Sequence, residues 1–372
     1  MRLLYVTSLS GKRINGFMRS AIIAAKQLGI DFTMACNTDM ADKDGYREDC
    51  QEYGIEVKHV DFNRNPLSLK NRKAKEQLLK IIKVGNYDIV HCNTPIGGIL
   101  GRLCAHNEKV NHIIYQAHGF HFWHGAPLIN WLLYYPVELF LSRYTDILVT
   151  ITRDDYELSK RMHSKECRYV HGVGVDLNQF VIRDRLDRNN ELRERLNIPY
   201  NAKVLLSVGE LNANKNHGRV IRAIASLQDK NIHYVICGEG ELKTEYEKLG
   251  QDLGLGQRLH LMGFCADVAD YYRMADLFVF PSLREGIPAS IMEAMAIGVP
   301  VVASDVRGIK DIVQDPTTRF DPSDQKQIAS IIAKTLKEDN ARRIAKNLQI
   351  LKPYEFNMVV DELKALYKST ME

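Results

Sequence analysis

The chain has 372 residues, 45% of them hydrophobic and 26% charged, with a formal net charge of +4. This length favours two domains, since one hydrophobic core seldom organises so long a chain. The composition is typical of a globular protein and excludes broad disorder, and so mild a charge argues against wholesale nucleic-acid binding. The 7 cysteines are scattered and form no CxxC pair, which disfavours a disulfide framework or a zinc site and favours reduced thiols in the cytoplasm.

The N-terminal residues MRLLYVTSLSGK do not resemble a secretory leader, because their apolar run is short and lacks a cleavage site of small residues. They predict a buried first strand instead. The most apolar segment, residues 126–141, is interrupted by Pro136 and Glu138. It is shorter than the roughly 20 residues that span a bilayer, so we expect no transmembrane helix.

Short apolar strands alternate with helical stretches through the N-terminal half. The first strand, residues 3–7, precedes a loop with Gly11 and Gly16 and then a helix at residues 18–28. Later strands are predicted at residues 31–35, 57–60, 87–91, 113–117, 146–150 and 168–171. Such alternation predicts a mostly parallel sheet with helices on both faces.

The pattern changes at residues 183–200, which are charged and nearly free of strand signal, and we interpret them as an interdomain connection. The alternation then restarts, with strands predicted at residues 204–208, 233–237, 259–262, 277–280 and 299–303. We therefore predict an α/β protein of two doubly wound Rossmann-like domains, residues 1–182 and 201–352, facing a central cleft. The C-terminal helical segment, residues 353–372, is expected to cross back to the first domain.

The strongest candidates for a ligand-binding or catalytic site lie between Arg284 and Gly308, in the sequence REGIPASIMEAMAIGVPVVASDVRG. Glycine and proline predict a tight loop after a strand, then a helix that starts within residues 288–290 and stops at Gly298. The loop and helix N-terminus offer backbone N–H donors and a positive dipole end, which suit a pyrophosphate. The plainer interpretation is an ordinary strand–loop–helix whose glutamates, Glu285 and Glu293, are surface residues.

This segment resembles the EGxPxxxxEAMAxGxPVVASDxxG signature of family 4 retaining glycosyltransferases, which have the GT-B fold. Further matches follow in the family's order, at residues 174–180 (GVD…F), 206–216 (SVG…KN), 235–240 and 260–264. The ordered set is more specific than any one match, and the resemblance covers nearly the whole chain. It points to the members that build bacterial capsule, exopolysaccharide or O-antigen.

The resemblance implies a role for each matching residue. Glu293 would bind the ribose hydroxyls of the nucleotide, and Glu285 the hydroxyls of the transferred sugar. Lys215 would neutralise the leaving diphosphate without a metal ion. His118 matches a histidine near the anomeric centre of the sugar, although a packed histidine at a strand end is the alternative.

Backbone groups would complete the donor site. Those that would cradle the pyrophosphate belong to Gly286, Ile287, Pro288 and Ala289. In the N-terminal domain Gly16, rather than Gly11, is the better candidate for letting the backbone approach the donor. Neighbouring His121 and His124 lack the carboxylate or thiol spacing of a zinc site.

One residue departs from the family pattern. Glu210 stands where an arginine often supplies a second phosphate cation, so diphosphate stabilisation would depend more on Lys215 and the helix dipole. Three other arginines are candidates to compensate: Arg284, Arg307 and Arg219.

Two segments of the N-terminal half could bind the acceptor or a membrane surface. The aromatic segment at residues 120–141 resembles transferases that work on polyprenyl diphosphate, and equally fits a helix buried against the sheet. The run at residues 64–83 carries seven cations against Glu76 alone, which fits a solvated helix face or a patch for anionic lipid or a phosphate-bearing acceptor. Together they fit a cytoplasmic protein that attaches peripherally to the inner face of the cell membrane.

The sequence thus predicts a retaining, metal-independent hexosyltransferase that needs no cofactor. It would move a hexose or N-acetylhexosamine from a nucleotide sugar, by resemblance a UDP-sugar, to a saccharide or a polyprenyl-diphosphate-linked saccharide. Two other hypotheses are a nucleotide-sugar epimerase of GT-B fold and a non-catalytic nucleotide-sugar-binding protein. Glu210 is the sequence feature that favours the non-catalytic protein.

Overall fold

The computed structural model describes residues 1–8, 11–14, 16–177, 180, 190–265 and 267–371. The chain forms two compact units, residues 1–174 with 356–372, and residues 175–355. Of the predicted interdomain connection, residues 183–189 lie outside the described part.

The first unit is built on a parallel sheet in the order β3-β2-β1-β4-β5-β6-β7. Its strands are β1 (Arg2–Val6), β2 (Asp31–Cys36), β3 (Glu56–His59), β4 (Ile89–Asn93), β5 (His112–Ala117), β6 (Ile147–Thr150) and β7 (Glu166–Tyr169). The central strands are buried along almost their whole length, as expected for a parallel sheet covered on both faces.

Helices cover both faces of this sheet. They are α1 (Gly16–Gln27), α2 (Lys43–Tyr53), α3 (Lys70–Gly85), α4 (Pro95–Asn107), α5 (Leu128–Leu141) and α6 (Arg153–Ser159). On one face α1 and α2 bury Ile22 and Tyr46. On the other α3 and α4 bury Leu78 and Cys104, and Trp131 of α5 packs against the same core.

The second unit has its own parallel sheet, in the order β10-β9-β8-β11-β12-β13. Its strands are β8 (Lys203–Val208), β9 (Ile232–Cys237), β10 (Leu259–Gly263), β11 (Leu277–Phe280), β12 (Val301–Ser304) and β13 (Arg319–Phe320). Because β8 and β11 are neighbours, the loops that follow these two strands lie at the same edge of the sheet.

The helices of the second unit alternate with its strands. They are α7 (Asn190–Arg195), α8 (His217–Leu227), α9 (Lys243–Asp252), α10 (Ala269–Met274), α11 (Ala289–Ala296), α12 (Ile309–Ile312), α13 (Gln325–Thr335) and α14 (Ala341–Leu351). The two sheets confirm the predicted pair of doubly wound Rossmann-like domains. Among the described helices of both units, none combines the length and apolar character that a bilayer-spanning helix needs.

The last helix, α15 (Phe356–Lys368), belongs to the first unit. It packs against α1 and buries Val359, Leu363 and Leu366 in the same core. The hydroxyl of Tyr367 lies 2.9 Å from Nδ1 of His91 on β4. Apolar burial and a buried polar contact therefore join the end of the chain to its first sheet.

Candidate active site

The loop between β8 and α8 carries Lys215 and is held in place by several hydrogen bonds. The Lys215 backbone N–H donates to Oδ1 of Asn212 over 3.0 Å. Asn214 donates from Nδ2 to the Arg284 carbonyl over 3.0 Å, and its own carbonyl accepts from the Leu283 N–H over 2.8 Å. These bonds tie the loop after β8 to the loop after β11.

Asn216 anchors the same loop where α8 begins. Its φ of 57° lies in the left-handed region, which asparagine tolerates better than most residues. Its Nδ2 donates to the carbonyls of Pro281 and Pro322 over 3.1 and 3.0 Å. In the Lys-Asn pair, the asparagine therefore holds the backbone and the lysine supplies the charge.

Lys215 and Glu285, 70 residues apart, meet in the second unit. Nζ of Lys215 lies 2.7 Å from Oε1 of Glu285, and these side chains are 21% and 14% exposed. Nζ also lies 4.8 Å from the centroid of the Phe280 ring. The ammonium is thus partly shielded from water, where its interaction with an anion is stronger than at an open surface.

Helix α11 begins directly after this ion pair. Its N-cap is Pro288, and no side-chain hydrogen bond caps the first turn. The helix starts at Ala289, inside the range expected from the sequence, and ends before Gly298, which has a φ of 80°. An uncapped helix N-terminus beside Lys215 is a favourable place for an anion.

Gly308 shapes the loop from the other side. Its φ is 75°, and a Cβ at this position would lie 1.7 Å from the Gly286 carbonyl oxygen. Only glycine permits this close approach, so the last glycine of the signature is required by the backbone of the loop. The sequence pattern indicates the chemistry of the signature but not this packing role of its last glycine.

The loop after β9 also depends on glycines. A Cβ on Gly238 would lie 1.9 Å from the Gly209 carbonyl oxygen, and one on Gly240 would lie 2.4 Å from that of Leu211. The Leu211 N–H donates to the Glu239 carbonyl over 2.8 Å. This segment packs against the Lys215 loop through its backbone, which accounts for the match at residues 235–240.

Glu293 lies within α11 and is largely removed from water. Tyr272 donates its hydroxyl to Oε2 of Glu293 over 2.8 Å and approaches the Ser290 carbonyl at 3.1 Å. Burial raises the pKa of Glu293, while the Tyr272 hydrogen bond lowers it. Its other oxygen, Oε1, has no hydrogen-bond partner within the described ranges, so it can accept from a ligand.

Glu210 is engaged within its own loop. Its Oε2 accepts from Nδ2 of Asn212 over 2.8 Å, and the same Asn212 holds the Lys215 backbone. Of the three arginines considered as replacements, Arg307 is 6% exposed, whereas Arg219 and Arg284 are exposed.

In the first unit His118 directly follows β5. Its Nε2 lies 2.9 Å from Oδ1 of Asn93, at the end of neighbouring β4. Burial lowers the pKa of His118 to about 4, so the ring is neutral near pH 7. Asn93 is fully buried and orients the ring, yet nothing in the sequence singled it out.

Thr94, next to Asn93, has a φ of 63°, which is uncommon for a residue other than glycine. Its Oγ1 accepts from the Ser8 N–H over 2.9 Å, which links the ends of β4 and β1. Gly16, the first residue of α1, has open space where a Cβ would project. None of the described residues therefore lies close enough to require glycine at this position.

Family models match both halves of the chain. "Glycosyl transferases group 1" matches residues 188–349, and "Glycosyl transferase 4-like" matches residues 4–151. The putative glycosyltransferase EpsD of Bacillus subtilis is 38% identical over 267 residues, which cover 70% of each chain. The chain belongs to the glycosyltransferase family.

Two more relatives of this glycosyltransferase carry informative names. The UDP-Gal:alpha-D-GlcNAc-diphosphoundecaprenol alpha-1,3-galactosyltransferase of Escherichia coli is 29% identical over 82% of this chain and 81% of its own. The putative teichuronic acid biosynthesis glycosyltransferase TuaC of Bacillus subtilis is 26% identical over 84% and 83%.

The fold of this glycosyltransferase is GT-B, as the sequence predicted. Anabaena HepE, solved with UDP and glucose, superposes with a TM-score of 0.79 at 18% identity, over 99% of this chain and 100% of that one. The lipopolysaccharide outer core galactosyltransferase WaaB superposes with a TM-score of 0.70 at 16% identity, over 100% and 99%. At these identities the likeness concerns the fold.

His121 and His124 can be checked against the metal-ligand groupings of the described residues. Within the described part of the chain, no three His, Cys, Asp or Glu side chains are grouped so as to hold an ion. The ring centroid of His121 lies 4.8 Å from that of Tyr134, and His124 is exposed. Lys215 supplies an ammonium group to the candidate donor site.

Proposed function

We propose that this glycosyltransferase moves a hexose or N-acetylhexosamine from a UDP-sugar to a polyprenyl-diphosphate-linked saccharide, in the synthesis of a surface polysaccharide. The observation that carries the proposal is the Lys215–Glu285 ion pair at the uncapped N-terminus of α11. One cation, one sugar-binding carboxylate and a row of backbone donors are what a diphosphate-linked sugar needs.

Donor binding would redistribute the charges of this pair. The diphosphate brings negative charge to the helix N-terminus, where Nζ of Lys215 can turn from Glu285 to a phosphate oxygen. Glu285 is then free to accept hydrogen bonds from sugar hydroxyls. Oε1 of Glu293 would accept from the ribose, and the backbone at residues 286–289 would cradle the pyrophosphate.

In the transition state the sugar gains oxocarbenium character and the diphosphate gains negative charge. Once the donor is bound, Lys215 and the N–H groups of α11 would stabilise that charge without further reorganisation, which is the most effective form of electrostatic catalysis. No metal ion or cofactor is required in this scheme. Glu210 adds no positive charge, so the contribution of Lys215 is larger than in relatives with an arginine there.

We propose that the anomeric configuration is retained. The acceptor hydroxyl would attack on the face that the diphosphate leaves, and a leaving phosphate oxygen would take its proton. His118, neutral near pH 7, would contact the sugar through hydrogen bonds. A neutral ring adds no positive charge next to a developing oxocarbenium ion.

The names of the relatives support the choice of substrates. The Escherichia coli relative uses UDP-Gal and a diphosphoundecaprenol-linked acceptor, and HepE was solved with UDP and with UDP-glucose. EpsD and TuaC are similar over 70% or more of this chain. These likenesses favour a uridine nucleotide and a lipid-linked acceptor.

The test uses the purified protein, a panel of UDP-sugars and a synthetic GlcNAc-diphosphate-lipid acceptor. We expect an α-linked product from an α-linked donor, by NMR of the anomeric proton, and unchanged turnover in EDTA. An inverted product, or turnover that disappears in EDTA and returns with a divalent cation, would contradict the mechanism. Transfer only to lipid-free sugars would contradict the proposed acceptor.

A further inference from the structure

Helix α5 presents its apolar side chains to solvent. Six large side chains form two adjacent rows, with members four or eight positions apart along the helix, and each is between 42% and 81% exposed. They are Leu128, Leu132 and Phe140 in one row, and Ile129, Leu133 and Val137 in the other. A surface helix of a globular protein ordinarily turns such a stripe toward its core.

The inward side of the same helix carries its one charge together with aromatic side chains, since Trp131 and Tyr135 pack against the core. Glu138 is the only charged residue of α5, and its Oε2 accepts from NH2 of Arg102 over 2.9 Å, while Oε1 accepts from the Tyr115 hydroxyl over 3.2 Å. The Arg102 side chain is itself buried, and its guanidinium carbon lies 3.8 Å from the Tyr115 ring centroid. The charge of α5 is thus neutralised on the inward side, while the outward side is apolar and carries no charge.

Cations lie on the same side of the first sheet as this apolar face. Helices α3 and α5 both pack against α4, on the same side of the first sheet. In the cationic run at residues 64–83, Lys73 pairs with Asp61. Six other cations of this run are exposed and have no carboxylate partner within the described ranges. They are Arg64, Lys70, Arg72, Lys75, Lys80 and Lys83. Arg143, just past the end of α5, is exposed as well.

We infer that α5 lies in the interface of an anionic bilayer, with its apolar rows among the acyl chains and these cations on lipid phosphates. A helix of 14 residues is too short to span, but suits an orientation parallel to the membrane plane. A second copy of this chain could also cover the apolar rows, but it would bring its own cationic surface next to that of the first copy. The like charges would then repel each other. An anionic bilayer supplies both the apolar layer and the opposite charge.

The buried Arg102–Glu138 pair gives this surface its orientation. Rotating α5 so that its apolar rows face the core would bring Glu138 into solvent and leave Arg102 buried without its partner. An uncompensated buried charge is strongly unfavourable, so the pair keeps the apolar rows outward even without a membrane. The exposed stripe is therefore built into the fold of the first unit.

Flotation of the full chain with vesicles tests the inference. We expect the protein to float with vesicles of phosphatidylcholine and phosphatidylglycerol, and much less with phosphatidylcholine alone. The double substitution Leu132→Asp and Leu133→Asp should weaken partitioning by about tenfold or more. The matched control, Leu253→Asp with Tyr200→Asp, changes two exposed apolar residues of the second unit and should leave flotation unchanged.

A second pair of variants tests the electrostatic contribution to vesicle binding. Replacing Lys70, Arg72, Lys80 and Lys83 by Gln should abolish the preference for phosphatidylglycerol. The control replaces four exposed lysines of the second unit by Gln: Lys230, Lys248, Lys326 and Lys337. Circular dichroism and thermal unfolding of each variant show whether it is folded.

Three results would overturn the inference. One is that the wild-type chain stays unbound with anionic vesicles at low salt. Another is that Leu132→Asp with Leu133→Asp floats as the wild type does. The third is a wild-type dimer, by light scattering, that this double variant dissociates, which would make a second copy the occupant. Flotation does not depend on turnover, so it can fail while the proposed transferase reaction stands, and the reverse also holds.

Discussion

The loop before α11 and helix α5 each follow a buried strand of a parallel sheet, yet they place charge in opposite ways. In the second unit Lys215 and Glu285 stay partly exposed, while the nearby apolar residues Ile287 and Ile291 of the same signature are buried. In the first unit the charge of α5, Glu138, is largely buried, and Leu128, Leu132 and Leu133 face outward. A polar, anionic ligand suits the first surface, and an apolar environment suits the second.

The difference teaches that the two regions require different kinds of support. The loop before α11 is held by backbone contacts that only glycine allows and by asparagine side chains, so its function depends on exact geometry. The outward face of α5 depends on one buried ion pair and otherwise on hydrophobic area. Single substitutions in the loop before α11 should therefore cause large losses of activity that differ from residue to residue. Substitutions on the outward face of α5 should have smaller effects that grow with the hydrophobic area removed.

The largest effect is expected at Lys215. Lys215→Ala removes the cation of the candidate donor site, and we expect kcat to fall by about 100- to 1,000-fold, the usual effect of losing one preorganised donor to developing negative charge. Release of UDP under steady-state conditions measures it. Lys248→Ala, on the exposed surface of the same unit, should retain wild-type rates, and a loss of less than about threefold at Lys215 would contradict its assigned role.

Gly308→Ala should come next, because a Cβ would collide with the Gly286 carbonyl. Gly254→Ala is the matched control: its φ of 70° is close to the 75° of Gly308, but a Cβ there would meet open space. Gly254→Ala should lose about 1 to 2 kcal/mol of stability from the left-handed backbone, and Gly308→Ala should lose more, because the Gly286 backbone must also shift. Only Gly308→Ala should also weaken UDP binding, by about tenfold in calorimetry. Equal UDP affinity in both variants would contradict the role of this contact.

Glu293→Gln separates binding from stability. It should weaken UDP binding by about tenfold, because a neutral amide is a poorer acceptor for ribose hydroxyls. Since burial raises the pKa of Glu293, the ionised carboxylate disfavours the folded state, and this cost grows as the pH rises through that pKa.

The Gln variant should therefore be at least as stable as the wild type near neutral pH, with any advantage vanishing as the pH falls. Denaturant unfolding across pH measures it. A Gln variant that is less stable near neutral pH, with its deficit shrinking in acid, would show that ionisation of Glu293 stabilises the fold.

The smallest effect concerns His118 and Asn93. Because the pKa of His118 is lowered to about 4, kcat/KM should show no inflection from this ring between about pH 5.5 and 8. Asn93→Ala should lower kcat/KM by about threefold, because it disturbs only the orientation of the His118 ring. This loss should be smaller than that of His118→Ala. Histidine NMR follows the titration, and an inflection near pH 6.5 that disappears in His118→Ala would contradict a neutral ring.

Much of the fold follows from the sequence, because seven strands of the first unit and five of the second are apolar runs that alternate with helices. The two-residue strand Arg319–Phe320 was missed, since two residues carry no periodicity. The donor segment could be predicted because a tight loop, a helix start and the glutamates are local in sequence.

The remaining features depend on contacts between distant residues. The Lys215–Glu285 pair exists because β8 and β11 are neighbours, and strand order is not written in any local pattern. The apolar segment of α5 fits a buried or an exposed helix equally well, and its partner Arg102 lies 36 residues earlier. Asn93 is an ordinary polar residue at a strand end until β5 brings His118 beside it.

Turnover of a donor panel tests the central claim most directly. The purified chain would be incubated with UDP-, GDP- and ADP-sugars, with and without the lipid-diphosphate acceptor, and the released nucleotide measured for the wild type and for Lys215→Ala. We predict release of UDP from at least one UDP-sugar, faster with acceptor and reduced to background in Lys215→Ala. Turnover confined to GDP- or ADP-sugars, or equal rates for wild type and variant, would contradict the account.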